Sequence, residues 1–149
     1  MTRITAIALI VLAQSVMGAA TPTEQPKIQT RDLSNEALIK QNKTITALAA
    51  DELSKTLPQK IDRYTQLLKV VARGTTLEYF FEINTGAKSD EAVRKEDRTR
   101  MEQAITKGVC RSSKRFLDVQ ISISYIYSSA VSKAELFRFD ISREKCFPK

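Results

Sequence analysis

The chain has 149 residues, of which 42% are hydrophobic, and 24 basic and 17 acidic side chains give it a formal net charge of +7. It contains two cysteines and no histidine. The length suits one domain rather than two. The composition excludes Ser/His/Asp and Cys/His catalysis, and two thiols cannot build a zinc site.

The first twenty residues have the order of a secretory signal peptide. Arg3 precedes an apolar stretch over residues 4–17, and small residues occupy positions 18–20. We expect residues 1–20 to be a signal peptide that is cleaved after Ala20, which predicts a periplasmic or secreted protein with no stable membrane span. A retained anchor is the alternative, although the stretch is shorter than the roughly 20 residues that cross a bilayer.

Residues 21–32 contain two prolines and no apolar periodicity, so they are expected to form a flexible arm. Residues 33–149 are expected to form a single domain. From Ser34 the pattern becomes helical, and the helix should end at Leu57 because Pro58 follows. Its predicted core face consists of Leu38, Ile45, Leu48, Ala49, Leu53 and Leu57.

Two β-hairpins are predicted further along. Gly74 separates two β-rich runs, and the second run alternates through residues 77–83, with Glu78 and Glu82 on its solvated side. Residues 119–127 and 136–141 alternate in the same way and form the second hairpin.

Between the hairpins, Ser89 can cap a helix that runs to about Val109. The order αββαββ predicts an α+β fold, an antiparallel four-stranded sheet with helices on one face. Export favours a disulfide between Cys110 and Cys146, which would tie the second helix to the segment after the last strand. Two buried free thiols are the alternative.

An aromatic group and a basic group of side chains are candidate binding residues for a protein or peptide partner. The aromatic group is Tyr79, Phe80, Tyr125 and Tyr127, and the basic group is Lys107, Arg111, Lys114 and Arg115. The aromatic residues could instead belong to the core, and the basic residues could simply cap a helix end. The sequence predicts no catalytic residue, metal ligand or cofactor. The basic run lacks the interleaved aromatic residues typical of nucleic-acid binding, so no nucleic-acid partner is expected.

A family resemblance covers roughly residues 53–147. It is carried by the segments 57–65 and 123–127, by Tyr79 in a hairpin, and by Cys110 and Cys146. These features resemble a group of small exported bacterial proteins that includes the pilotin lipoproteins of type II secretion. The resemblance implies a disulfide-tied domain of helices and sheet that holds a short secretin peptide. The chain departs from pilotins in having no cysteine after the apolar stretch, and therefore no lipobox.

The residues and the resemblance together predict a non-enzymatic periplasmic or secreted domain that binds a protein or peptide of the cell envelope, as an accessory of a secretion or envelope apparatus. The alternative is an exported inhibitor or immunity protein that blocks a hydrolase through residues 86–88 or 128–133. An enzyme using carboxylate or Ser/Lys chemistry is the third hypothesis. The identity of the partner and the oligomeric state do not follow from the sequence.

Overall fold

The computed structural model describes residues 34–149, so the predicted signal peptide (1–20) and arm (21–32) lie outside the described residues. Within residues 34–149, four helices and five strands follow one another in the order αβββααββα. They are α1 (Asn35–Ser54), β1 (Gln59–Lys60), β2 (Thr65–Arg73), β3 (Thr76–Ile83), α2 (Asp90–Ser112), α3 (Lys114–Asp118), β4 (Ser122–Ser129), β5 (Glu135–Ile141) and α4 (Arg143–Cys146).

The sheet is mixed and five-stranded, with the strands arranged in their chain order from β1 to β5. The predicted antiparallel four-stranded sheet is therefore wrong in two respects. The short edge strand β1 adds a fifth strand, and β3 pairs with β4 in parallel. The two predicted hairpins are present, because β2 pairs antiparallel with β3 across a two-residue turn and β4 pairs antiparallel with β5 across the loop 130–134. The chain between β3 and β4 contains α2, and a helical crossover of that kind returns the next strand in the same direction.

One hydrophobic core lies between the sheet and the two long helices. It joins Val70, Leu77 and Phe81 of the sheet to Ala50 of α1 and Val109 of α2. Both helices therefore pack on the same sheet face, as the alternating strands predicted.

The buried face of α1 differs from the predicted one. Its buried side chains are Asn42, Thr46 and Ala50, whereas Leu48 and Leu53 are 64% and 38% exposed. The buried side chains are small or polar, and their polar atoms are satisfied, since the Thr46 hydroxyl donates to the carbonyl oxygen of Asn42 at 2.6 Å. The helix also ends earlier than predicted, at Ser54 rather than Leu57.

The second long helix begins as predicted. The Ser89 hydroxyl oxygen accepts a hydrogen bond from the backbone N–H of Ala92 at 3.2 Å and so caps α2. The predicted disulfide between Cys110 and Cys146 is present, with 5.5 Å between the two Cα atoms, and it links α2 to α4. The short helices α3 and α4 were not predicted, because four or five residues are too few to show a helical period.

Candidate functional site: an aromatic groove beside the second long helix

An open groove lies where α2 faces the sheet and the loop after β1. We call it the aromatic groove. Its floor is formed by β2, β3 and β4, and its two rims are formed by α2 and by the loop between β1 and β2. The lining residues are Ile61, Asp62, Thr65, Leu67, Tyr79, Phe81, Met101, Ala104, Ile105, Tyr125 and Tyr127, and the volume is about 390 Å³. A groove of this size accommodates a few side chains of a ligand.

The floor is aromatic because β3 and β4 run in parallel and in register. Tyr79 lies beside Tyr125, and Phe81 lies beside Tyr127. The ring centroids of these pairs are 5.1 Å and 4.7 Å apart, and the rings of the second pair are stacked at 13°. Such contacts between rings hold the floor rigid, so the groove is formed before any ligand arrives.

The groove continues along α2 toward the helix N-terminus. A second depression of about 500 Å³ shares Thr65 and Met101 with the aromatic groove and reaches Val93. From Val93 to Ile105 the helix rises about 18 Å. That length matches about three turns of a bound helix or about five residues of an extended peptide.

Three phenolic hydroxyl groups stay neutral in the groove. The pKa of Tyr79 is raised from its ordinary value of 10.0 to about 12, mainly by burial and to a smaller extent by the neighbouring Tyr125. Burial also raises the pKa of Tyr125. The pKa of Tyr127 is raised by burial, by Tyr125 and by the nearby Asp62 carboxylate. These groups can therefore donate hydrogen bonds to a ligand at any physiological pH.

Asp62 places a negative charge on one rim. Its carboxylate accepts hydrogen bonds from the backbone N–H groups of Tyr64 and Thr65 at 2.7 and 2.8 Å. These two bonds hold the pKa of Asp62 below its ordinary value, and the bond from Tyr64 has the larger effect. Ile61, beside it, is 50% exposed, so the rim offers an apolar contact next to a carboxylate.

Only part of the predicted aromatic group meets in the groove. Tyr79, Tyr125 and Tyr127 line it, whereas Phe80 lies on the opposite sheet face with the Lys69 ammonium 4.5 Å from its ring centroid. Successive side chains of a strand point to opposite faces, which separates Phe80 from its neighbours. The sequence did not single out Ile61 and Met101 as binding residues, although Met101 lies within the predicted second helix and Ile61 within the segment 57–65.

The predicted basic group lies elsewhere. Lys107 and Arg111 line a depression beside the disulfide. The Lys114 ammonium pairs with the Asp118 carboxylate at 2.6 Å, and Arg115 is exposed on α3. The two predicted groups thus belong to different surfaces.

Glu78 is not the solvated glutamate that the strand pattern predicted. Its side chain is 6% exposed, and its carboxylate meets the guanidinium groups of Arg73 at 3.0 Å and Arg138 at 3.3 Å. Glu82 pairs separately with Lys133 at 2.7 Å. The two glutamates therefore serve different ion pairs. Among residues 34–149, no three side chains of the Cys, Asp and Glu types are grouped so that they could hold a metal ion.

The chain belongs to a protein family described as a domain of unknown function, DUF8479, whose model matches residues 32–137. No curated protein matches the sequence. The fold is similar to solved structures of type II secretion pilotins. EpsS of Vibrio vulnificus is 15% identical with a TM-score of 0.64, and the match covers 77% of this chain and all of that one.

The pilotin AspS of Vibrio cholerae is 21% identical with a TM-score of 0.57, over 73% of this chain and 95% of that one. A Pseudomonas aeruginosa protein described as secreted is 14% identical with a TM-score of 0.65, over 73% and 96% of the two chains. At these identities the likeness establishes the fold. The resemblance to pilotins that the sequence indicated is thereby confirmed at the level of structure.

None of the helices within residues 34–149 combines the length and the apolar character that a membrane span needs.

Proposed function

We propose that this protein is a non-enzymatic domain of the bacterial cell envelope that binds a protein or peptide in the aromatic groove, as an accessory of a secretion or envelope apparatus. The groove carries the proposal, because it joins a preformed apolar floor to a few polar groups at its edges. The similarity of fold to two pilotins and to a protein described as secreted supports the location and the kind of partner.

The chemistry of the groove favours a peptide segment over a small metabolite. The groove is long and open, and Leu67, Phe81 and Met101 present an apolar surface along it. The hydroxyl groups of Tyr79, Tyr125 and Tyr127 can bond to backbone carbonyl groups of a peptide. An amphipathic segment would bury its apolar side chains on the rings and keep its polar face in water.

The proposal includes the organisation of the chain. Residues 1–20 direct export and are removed, residues 21–32 form an arm, and residues 33–149 form the binding domain. Binding requires no cofactor and no nucleic acid. The phenolic groups act as neutral hydrogen-bond donors rather than as acids or bases, because burial raises their pKa values above the ordinary 10.0 of a phenol.

Site-specific photocrosslinking in the native envelope tests this function. A photoreactive side chain replaces Ile61, which is 50% exposed on the groove rim. In a matched control it replaces Val131, which is 77% exposed in the loop between β4 and β5. We expect one envelope protein to be crosslinked from position 61 and not from position 131.

The competing outcomes are distinct. A hydrolase crosslinked from position 131 alone would contradict the groove and favour the inhibitor hypothesis. The substitution Ile61→Glu provides a second measurement, since it places a charge beside Asp62 without disturbing the core. It should weaken capture of the crosslinked partner at least tenfold, and Val131→Glu should leave capture unchanged.

A further inference from the structure

The ends of α2, α3 and α4 form a strongly basic surface, separate from the aromatic groove. We call it the basic end. The Cys110–Cys146 disulfide joins α2 to α4, and the Lys145 ammonium reaches the Glu102 carboxylate of α2 at 2.8 Å. Its seven basic side chains are Lys107, Arg111, Lys114, Arg115, Arg143, Lys145 and Lys149. Its three acidic ones are Glu102, Asp118 and Glu144, which leaves a net charge of +4.

Five of the seven basic side chains form no ion pair within residues 34–149, and two of these five lie in one depression. Lys107 and Arg111 form no ion pair with any residue in 34–149, whereas Lys114 and Lys145 are each paired with a carboxylate. Both line a shallow depression of about 730 Å³ beside the disulfide. The depression thus presents uncompensated positive charge to the solvent.

Thr106 also lines this depression, but its hydroxyl group is enclosed. Within residues 34–149, the hydroxyl oxygen of Thr106 is the one buried side-chain polar atom that has no hydrogen-bond partner. Thr106 lines the depression together with Lys107 and Arg111. A phosphate group in the depression would meet both cations, whereas the Thr106 hydroxyl is enclosed by protein atoms and out of its reach.

An exposed aromatic ring lies at the edge of the basic end. Phe147 is 45% exposed, and the Lys114 ammonium lies 5.4 Å from its ring centroid. Aromatic rings beside cations are typical of surfaces that rest on lipid headgroups, because the ring enters the interface while the charge meets phosphate. An acidic protein partner would use the same cations, so binding to vesicles and binding to an acidic peptide have to be compared.

We propose that the basic end binds an anionic phospholipid surface, with phosphate groups at Lys107 and Arg111 and with Phe147 in the headgroup region. The aromatic groove stays accessible, because the two surfaces use different sides of α2. Met101 lines the groove and Gln103 lines the depression, and two residues correspond to about 200° around a helix. The domain would rest on a membrane while it holds its partner.

Vesicle sedimentation with residues 21–149, the chain that the proposed cleavage leaves, tests the proposal. Vesicles of phosphatidylcholine alone are compared with vesicles that also contain phosphatidylglycerol. The test variant is Lys107→Gln with Arg111→Gln. The matched control is Lys40→Gln with Lys43→Gln, which removes the same charge from exposed positions of α1. Residues 21–33 are identical in all three chains, so their contribution to binding cancels.

We expect tighter binding to the anionic vesicles, a loss of that preference at high salt, and a roughly 30-fold weakening in the test variant, about fivefold for each charge. The control should bind within about twofold of the wild type. Phe147→Ala should also weaken binding.

Equal binding by the two double variants, or no preference for anionic vesicles, would overturn the proposal. A polyglutamate peptide provides the remaining comparison. If it binds through Lys107 and Arg111 while the anionic vesicles do not bind, the surface recognises an acidic protein rather than lipid.

Discussion

Asn42 of α1 donates a hydrogen bond of 2.6 Å from its side-chain nitrogen to the backbone carbonyl oxygen of Val119, 77 residues further along the chain. The Asn42 side chain is almost completely buried. The bond therefore fixes α1 to the turn that precedes β4, and it supplies a partner to a carbonyl group that no strand satisfies.

Asn42→Ala should lower the free energy of unfolding by about 1–3 kcal/mol, since it leaves the Val119 carbonyl group without this partner. Gln41→Ala, at an exposed position on the same helix, should change it by less than about 0.5 kcal/mol. Urea unfolding of the two variants measures the difference. Equal costs would show that the bond does not contribute to stability.

Replacement of both cysteines by serine should lower the free energy of unfolding by about 4 kcal/mol in the chain-entropy model, because the disulfide closes a loop of 36 residues in the unfolded chain. Denaturant melts of the Cys110→Ser, Cys146→Ser variant and of the wild type with and without reductant give the value. The reduced wild type should match the variant. A variant as stable as the oxidised protein would contradict the expectation.

The Glu78 cluster should respond asymmetrically to substitution. Glu78→Ala leaves two arginines that are 73% and 40% exposed and that water can solvate, so we expect a cost of about 1 kcal/mol. Arg73→Ala combined with Arg138→Ala leaves a buried carboxylate without a partner and should cost roughly 3 kcal/mol.

Thermal and urea unfolding measure the loss in free energy of unfolding for the Glu78 variant and for the double arginine variant. Glu82→Gln, which changes the separate pair with Lys133, is the control. If the arginine pair costs no more than the glutamate, the carboxylate is not held by these charges.

The raised pKa of Tyr79 makes stability depend on pH above 10. Below pH 10 the phenol is protonated in both states, so the full stability is present. Between pH 10 and about 12 the unfolded chain loses the proton while the folded chain keeps it, and stability falls as the pH rises. The loss should stay below about 1.4 kcal/mol per pH unit, because the ring is partly exposed.

The free energy of unfolding at pH 9 and at pH 11 measures this loss. Tyr79→Phe should reduce the difference between the two values without abolishing it, since burial also raises the pKa of Tyr125. An unchanged pH dependence in Tyr79→Phe would assign the titration to other groups.

The sequence by itself determined the elements whose causes are local. Alternation around Gly74 and before Lys133 is enough to predict two hairpins, and both glycine and lysine adopt a positive φ in these turns. Ser89 followed by two acidic residues is enough to predict the start of α2. The two cysteines, together with the expected export, were enough to predict the disulfide.

Only the tertiary structure decided which of those elements meet. The sequence pattern placed Leu48 and Leu53 in the core, but α1 turns Asn42 and Thr46 inward because a distant carbonyl group and its own backbone satisfy their polar atoms. The parallel pairing of β3 with β4 depends on the path of α2 across the sheet. The aromatic groove exists because that pairing brings Tyr79 beside Tyr125. Contacts between residues so far apart in the chain leave no periodicity in it, so they appear only when the chain is folded.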